Sequence, residues 1–366
     1  MDDQNTSLKN LKTEEIEDNI VNSKELSNKN VKKEITVQKF DIDIQATYHL
    51  PELLNKIQTY EKYNLLTSLP HNAKPTSLDC IEVSNNVIIA VGTESGKIFI
   101  WDLNFNKTIK TIGAHDFFID CLGFLEINNH IILISGCIDH YIKVWDPNKE
   151  EIIQKIDNLA RPLCFTFHNI DVKYFVVVSS NDSSIKIWDI NDGSLYLTIA
   201  DLKCQILSII VQKLKMESII ICGCDDKVIK IYSLNKKSNV RQLLPKHDGN
   251  VYSLTYLEIN YQQLIASGTY EIIRLFDLVS GELVRSWQGH NDFILALTVF
   301  QLHCKLPVLV SGSKDATIKI WNPEDKSLLL TLEDHTKKVF RLKSVQFKLQ
   351  HIIVSASSDR TVKVFI

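Results

Sequence analysis

Serine, histidine and aspartate stand at matched spacing twice in this chain, as His115, Ser135 and Asp139 and again as His290, Ser311 and Asp315. Such residues could serve acyl transfer, with histidine taking the serine proton and the carboxylate orienting the imidazole. A triad is defined by geometry, however, and an active site is not ordinarily copied along one chain. The duplication points to a structural role. Gly92–Lys97 (Gly-Thr-Glu-Ser-Gly-Lys) imitates a phosphate loop, but it has three residues between its glycines where four are needed, and Ile98 replaces the metal-binding Ser or Thr. A tight turn between strands is the better reading. Cys222 and Cys224 share one strand face. No nearby His or second Cys pair completes a tetrahedral site, so no metal is expected there. The residues therefore predict no catalytic group and no cofactor.

The elements that carry these residues repeat. Aromatic strand endings fall at Trp101, Trp145, Trp188, Tyr232, Phe276, Trp321 and Phe365, in steps of 44, 43, 44, 44, 45 and 44 residues. About eleven residues before each lies an apolar run, such as Val87–Val91 or Val308–Val310, that reads as a buried strand. A turn follows, then an alternating strand such as Ile142-Lys143-Val144-Trp145. Repetition at this period marks four-stranded units closed into a ring, because one unit alone cannot bury both faces of its sheet. The last unit ends one strand short. Tyr63–Leu69 with His71 matches Thr108–Ile112 with His115 at a distance of 44 residues, so strand 62–69 is expected to pair with 361–366 and close the ring.

Lys143, Lys186, Lys230, Arg274, Lys319 and Lys363 occupy one slot in six units. A phosphate-binding stripe is conceivable. Long stems over apolar surface with the charges in water fit better, because the slot is spread around the ring and the net charge is -3.

Composition sets the outer limits. The chain has 366 residues with 45% hydrophobic content, enough for a sizeable core. Residues 1–39 lack aromatics, Gly and Pro, and the first 34 residues carry eight acids against six lysines. That composition predicts a disordered polar extension, with a frayed helix around Leu11–Ile20 at most. Within 40–61, Pro51 with Leu53, Leu54 and Ile57 predicts a short helix on the rim. The polar start is unlike a signal sequence, and no apolar run approaches the roughly 18 residues of a spanning helix. Eight scattered cysteines suit free, mostly buried thiols in a reducing, intracellular setting, cytoplasmic or nuclear.

The repeats resemble the WD-repeat β-propeller family over residues 62–366. The resemblance implies an all-β fold: a seven-bladed propeller of four-stranded antiparallel blades, closed by the N-terminal strand. In that family His, Ser/Thr, Asp and Trp of a blade form a buried hydrogen-bonded set. The full set is His115, Ser135, Asp139 and Trp145 in one blade and His290, Ser311, Asp315 and Trp321 in another. A third has His335, Ser355 and Asp359 with Phe365. The third and fourth blades keep Asp182 and Asp226 but place Leu159 and Leu202 in the His slot, and the fifth has His247 and Ser267 without the Asp.

The resemblance also implies a binding surface at the channel mouth, where each chain segment enters its first strand. The candidates are Lys74, Phe118, Asp120, Arg161, Asn250, Tyr252, Phe293, Lys338 and Phe340. Aromatics ringed by polar groups suit protein recognition. The expected function is a non-catalytic scaffold or adaptor for peptides or proteins, acting as a monomeric propeller within a larger complex, without membrane insertion or nucleic acid. Two alternatives are a ubiquitin-ligase substrate receptor and an RNA-associated assembly factor. The first lacks Arg two residues after the Trp-Asp, the slot holding Asn104, Asn148 and Asn191 in the first three blades.

Overall fold

Alternating segments such as Ile142-Lys143-Val144-Trp145 are extended strands in the computed structural model, and no helix occurs among the described residues. Those residues are 65–68 and 74–365, less 171, 215–216, 235–237, 244, 302–306 and 348–349. The chain divides into two units, Met1–His49 and Leu50–Ile366, and every described residue belongs to the second. The expected disordered extension, the rim helix and His71 lie outside the described residues.

Strand β1 (Leu65–Ser68) stands apart in sequence from the sheet it joins. Next come β2 (Pro75–Val83), β3 (Asn86–Thr93), β4 (Lys97–Asp102) and β5 (Lys107–Gly113), paired in order as one antiparallel sheet. The pattern repeats in β6 (Ile119–Ile127), β7 (His130–Cys137), β8 (Tyr141–Asp146) and β9 (Glu151–Asp157). It repeats again in β10 (Pro162–Ile170), β11 (Lys173–Ser180), β12 (Ile185–Asp189) and β13 (Leu195–Ile199), and then in β14 (Ile206–Lys213), β15 (Ser218–Cys224), β16 (Ile229–Ser233) and β17 (Ser238–Leu243). A seven-stranded sheet follows: β18 (Ser253–Ile259), β19 (Gln262–Gly268), β20 (Tyr270–Asp277), β21 (Leu283–Gln301), β22 (Pro307–Ser313), β23 (Ile318–Trp321) and β24 (Leu328–Leu332). The last sheet holds β25 (Val339–Phe347), β26 (Gln350–Ser357) and β27 (Thr361–Phe365), with β1 on its edge. There, Leu65 pairs with Val364 and Ser68 with Thr361.

Where the repeat predicts separate four-stranded units throughout, the described residues form five such sheets and one of seven strands. The cause is β21. Its first part pairs with β20 (Trp287 opposite Ile273), and its second part pairs with β22 (Leu297 opposite Ser311). One continuous strand thus serves two neighbouring units.

Local chemistry explains the hairpins. Ser84–Asn85, Asn128–Asn129 and Asn260–Tyr261 join first to second strands, and both residues of each pair have left-handed φ, between 49° and 65°. Two-residue turns of that hand match the twist of the flanking strands, and Asn tolerates them better than most residues.

Burial lies between sheets. Leu78, Ile89 and Phe99 of one sheet pack with Val354, Val362 and Val364 of the last, so the first and last sheets are neighbours. Ile98, Ile119 and Trp145 share the next interface, and Ile134, Val176 and Trp188 the one after. The first strands of successive sheets adjoin one another in sequence order, and β2 adjoins β25, which completes a cycle around a centre. This is a propeller arrangement. Each fully buried Ile, Val or Phe contributes roughly 1.5–3 kcal/mol, so stability resides in the joints as much as in the sheets.

Candidate functional site

Two layers matter at the end of the ring where loops lead into the first strands: locks beneath the surface and aromatic or charged groups above them. In the first lock His115 Nδ1 lies 2.8 Å from Asp139 Oδ2 and its Nε2 lies 2.8 Å from Ser135 Oγ, while Trp145 Nε1–H donates to that oxygen at 3.0 Å. The second matches it, with His290 at 2.9 Å from Asp315 and 2.7 Å from Ser311, and Trp321 donating to Ser311 at 2.8 Å. His335 similarly meets Asp359 at 2.8 Å and Ser355 at 2.7 Å. A neutral imidazole satisfies these bonds by donating from Nδ1 and accepting at Nε2. Burial lowers the pKa of His115 and His335 below the ordinary histidine value and outweighs their carboxylate partners. Burial also pushes Asp139 up, but the bonds from His115 and from the Tyr141 N–H prevail and hold it below the usual carboxylate range. Ser135, Ser311 and Ser355 are fully buried, so these oxygens anchor indoles and imidazoles where a substrate does not reach.

The departures from this pattern are informative. Leu159, expected in the His slot, is instead 73% exposed with a left-handed φ of 61°. The slot is filled by its neighbour Asn158, which is fully buried. Asn158 Oδ1 accepts from Trp188 Nε1 at 2.9 Å, and Nδ2 donates to Ser180 Oγ at 2.8 Å and to the Ala160 carbonyl at 2.9 Å. An amide can accept from an indole as a hydroxyl can, and counting back from Trp188 by the His115–Trp145 interval would have found it. His247 bonds Ser267 at 2.8 Å, and its Nδ1 is buried without a partner. Burial first, and then the Arg274 charge, lower its pKa to about 4.

The expectation that the basic slot is solvated does not hold. Lys186, Lys230 and Lys363 are 6–7% exposed. Lys143 donates to the Ala114 carbonyl at 2.6 Å, Lys319 to Gly289 at 2.9 Å, Arg274 to Lys246 at 2.9 Å, and Lys363 to Asp334. Lys186 pairs with Asp182 at 2.7 Å. A long cationic side chain satisfies each of these carbonyls while its stem packs below. The slot therefore clamps the loops and offers no basic stripe for a phosphate backbone.

Above the locks the candidate residues fall into two groups. Phe118 is 42% exposed beside Phe117 at 56%, and the next residue, Ile119, is fully buried. Phe293 is half-buried. The Tyr252 and Tyr270 rings lie 5.3 and 5.0 Å from it, both edge-on, and Lys314 Nζ sits 4.9 Å from its centre. Tyr270, 46% exposed, belongs to this cluster and was not foreseen, because only the pairing of β20 with β21 brings it there. Asp120 receives Arg161 through two bonds, of 2.6 and 2.8 Å, and its carbonyl accepts from Arg341 at 3.3 Å. The Asp120 bond raises the Arg161 pKa above its ordinary value. Asp120 and Phe340 both sit where the first strand bulges, between Ile119 and Cys121 and between Val339 and Arg341. Such a bulge re-aims side chains. Phe340, however, packs against the core between the first and last sheets. Lys74 pairs with Glu94 at 3.7 Å, Asn250 is half-buried, and Lys338 is exposed.

Gly92–Lys97 spans the end of β3, a turn at residues 94–96 and the start of β4. Gly96 has φ 76°, and a Cβ there would stand 1.9 Å from the His115 carbonyl oxygen. Glycine is needed for that close approach and not for a phosphate.

The match to known proteins agrees with this architecture. Residues 106–146, 281–322 and 326–365 match the family model described as WD domain, G-beta repeat. The chain thus carries WD repeats over these segments, about a third of its length. It is 31% identical over 108 residues to the probable coatomer subunit beta' of Schizosaccharomyces pombe, covering 29% of this chain and 13% of that protein. It is 31% identical over 124 residues to WD repeat-containing protein 37 of Mus musculus, covering 33% and 24%. With COMPASS component SWD3 of Saccharomyces cerevisiae it shares 27% identity over 171 residues, covering 42% and 53%. The chain thus spans from about an eighth to about half of these relatives' lengths. No helix among the described residues is long and apolar enough to cross a membrane.

Proposed function

We propose that this chain is a non-catalytic scaffold that binds peptides or protein surfaces at the mouth of a seven-bladed propeller. The observation that carries the reading is an aromatic-bearing rim, Phe118 with Phe117 and Phe293 with Tyr252 and Tyr270, set on buried first-strand residues and bordered by charged groups. Exposed aromatic rings on a firm base supply contact area at small entropic cost, the usual character of hot spots. The triad-like sets are consumed in holding indoles, which supports a binding role over catalysis. The blade count of seven follows if β21 is divided between two blades, its first part an outer strand and its second part an inner one. Complex membership is consistent with the names of the relatives, which include a coatomer subunit, a COMPASS component and a target of rapamycin complex 1 subunit, mip1, of Schizosaccharomyces pombe. An intracellular setting, cytoplasmic or nuclear, accords with those names and with free cysteines.

The test is proximity labelling in the native cell with the wild-type chain and with Phe118→Ala/Phe293→Ala. The variant is expected to lose a defined subset of neighbours while its melting temperature stays within about 4 °C of wild type. An unchanged set of neighbours would place the docking face elsewhere.

A further inference from the structure

The fourth unit (β14–β17) has lost the lock, and what replaces it carries its own chemistry. Leu202, Cys222 and Tyr232 stand where other units have His, Ser and Trp. In their place Lys230 is the hub. Its ammonium lies 2.9 Å from Cys204 Sγ, 2.6 Å from Asp226 Oδ2 and 3.2 Å from the Leu202 carbonyl. Cys224 joins them: the Cys204 and Cys224 sulfurs and an Asp226 oxygen all lie within 4.8 Å of one another. Two thiols and a carboxylate could suggest a metal site. The place a cation would take is already held by Lys230, in contact with both a sulfur and the carboxylate.

We propose that Cys204 and Cys224 form a peroxide-sensitive thiol pair, with Cys204 the attacking thiolate and Cys224 the resolving thiol. The Cys204 sulfur attacks one oxygen of hydrogen peroxide, the O–O bond breaks, and a sulfenic acid and hydroxide result. The Cys224 sulfur then attacks the Cys204 sulfur, its proton leaves with the sulfenic hydroxyl as water, and a disulfide remains. Across both steps two thiols and one peroxide become one disulfide and two waters, each sulfur giving up one electron and peroxide taking two. Lys230 stabilises the thiolate before attack and can deliver a proton to the leaving hydroxide.

Geometry favours the pair. The Asp225 N–H donates to the Gln205 carbonyl at 3.0 Å, so the two segments are tied together one residue beyond each cysteine. Cys204 is 6% exposed and Cys224 wholly buried, while Asp226 keeps 35% of its side chain in water, so the site lies just under the surface. The groups around Cys204 are Lys230, Asp226, Cys224, Cys222 and Tyr232. The bond with Cys224 and the Lys230 ammonium lower the Cys204 pKa to about 7 against the opposing effects of burial and Asp226. The same contact with Cys204 and burial push Cys224 far up, which suits a resolving thiol that stays protonated until called on. Cys137 is a control built into the fold. It lies two residues from Asp139, just as Cys224 lies two residues from Asp226, and burial pushes it up to about 12. No ammonium hydrogen bond to Cys137 occurs among the described residues.

The experiment treats the reduced full chain with a few equivalents of hydrogen peroxide, caps free thiols, and maps tryptic peptides. Expected is a linked pair joining the peptide of Cys204 to that of Cys222 and Cys224, with fragmentation placing the bond on Cys224, reversed by dithiothreitol. The oxidation rate should be half-maximal near pH 7. In Cys224→Ser, Cys204 should accumulate as a sulfenic acid trapped by dimedone. Lys230→Gln should slow oxidation at pH 7 roughly tenfold; a far-UV spectrum confirms that this variant is folded, and Cys224→Ser carries the test if it is not. A Cys222–Cys224 bond, or Cys204 recovered as a free thiol after treatment, overturns the proposal.

Discussion

The sixth unit, with His290, Ser311, Asp315 and Trp321, and the fourth, with Lys230, Asp226, Cys204 and Tyr232, solve the same problem differently. Each must fasten the backbone leading into its first strand to the turn between its second and third. The sixth does so with a directional relay in which the indole donates to the hydroxyl, the hydroxyl to the imidazole and the imidazole to the carboxylate. The fourth uses one ammonium as a three-way tie. In the relay each group satisfies the next. The tie depends on one charge and leaves thiols beside it whose chemistry is free for other use. The repeat therefore demands a fastened loop and not a particular set of residues.

This contrast can be broken most sharply at the indole. Trp321→Ala removes a 4% exposed side chain and the donor it offers Ser311, and it should cost roughly 3–5 kcal/mol in chemical denaturation. The second largest effect is one of pH and lies in the fifth unit, where the relay lacks its carboxylate. Because the folded pKa of His247 is about 4, below its unfolded value near 6.5, its contribution is fully present above pH 6.5 and is lost as pH falls toward 4. The loss should reach roughly 3 kcal/mol and should vanish in His247→Gln, as read from melts across that pH range. Third, Lys230→Met leaves Asp226 and the Leu202 carbonyl unpaired. The partial exposure of Asp226 limits the cost to roughly 1–3 kcal/mol. Smallest is Tyr232→Phe, expected to shift stability by less than about 0.5 kcal/mol, because the tyrosine fills the Trp slot without holding a lock. A large loss there would show that the fourth unit keeps a relay after all.

Much of the fold was legible because burial has a period. Runs such as Val308–Val310 and alternating strands such as Ile318–Trp321 need no partner to be recognised. The His–Ser–Asp–Trp sets were equally visible, since their members recur at fixed offsets. Three things were hidden. Asn158 was missed beside Leu159 because apolar type was weighed over spacing, although an amide can do what the relay requires. The slot lysines looked solvated because a sequence shows the stem and the charge but not the orphan carbonyl that the charge meets. Cys204 lies twenty residues from Cys224, and only the pairing of β14 with β15 brings the two together, so no local motif announces them. The division into sheets was also opaque at β21, because Gly289-His290-Asn291-Asp292 reads as a turn while the structure carries the strand through it.

That uninterrupted strand bears on recognition. Phe293 sits inside β21 and pairs with Tyr270, with no flexible connection on either side. Its position is set by the backbone ladder of two neighbouring units at once. A visitor touching that ring meets a surface whose ordering cost was settled when the chain folded, and the discrimination it experiences comes from shape.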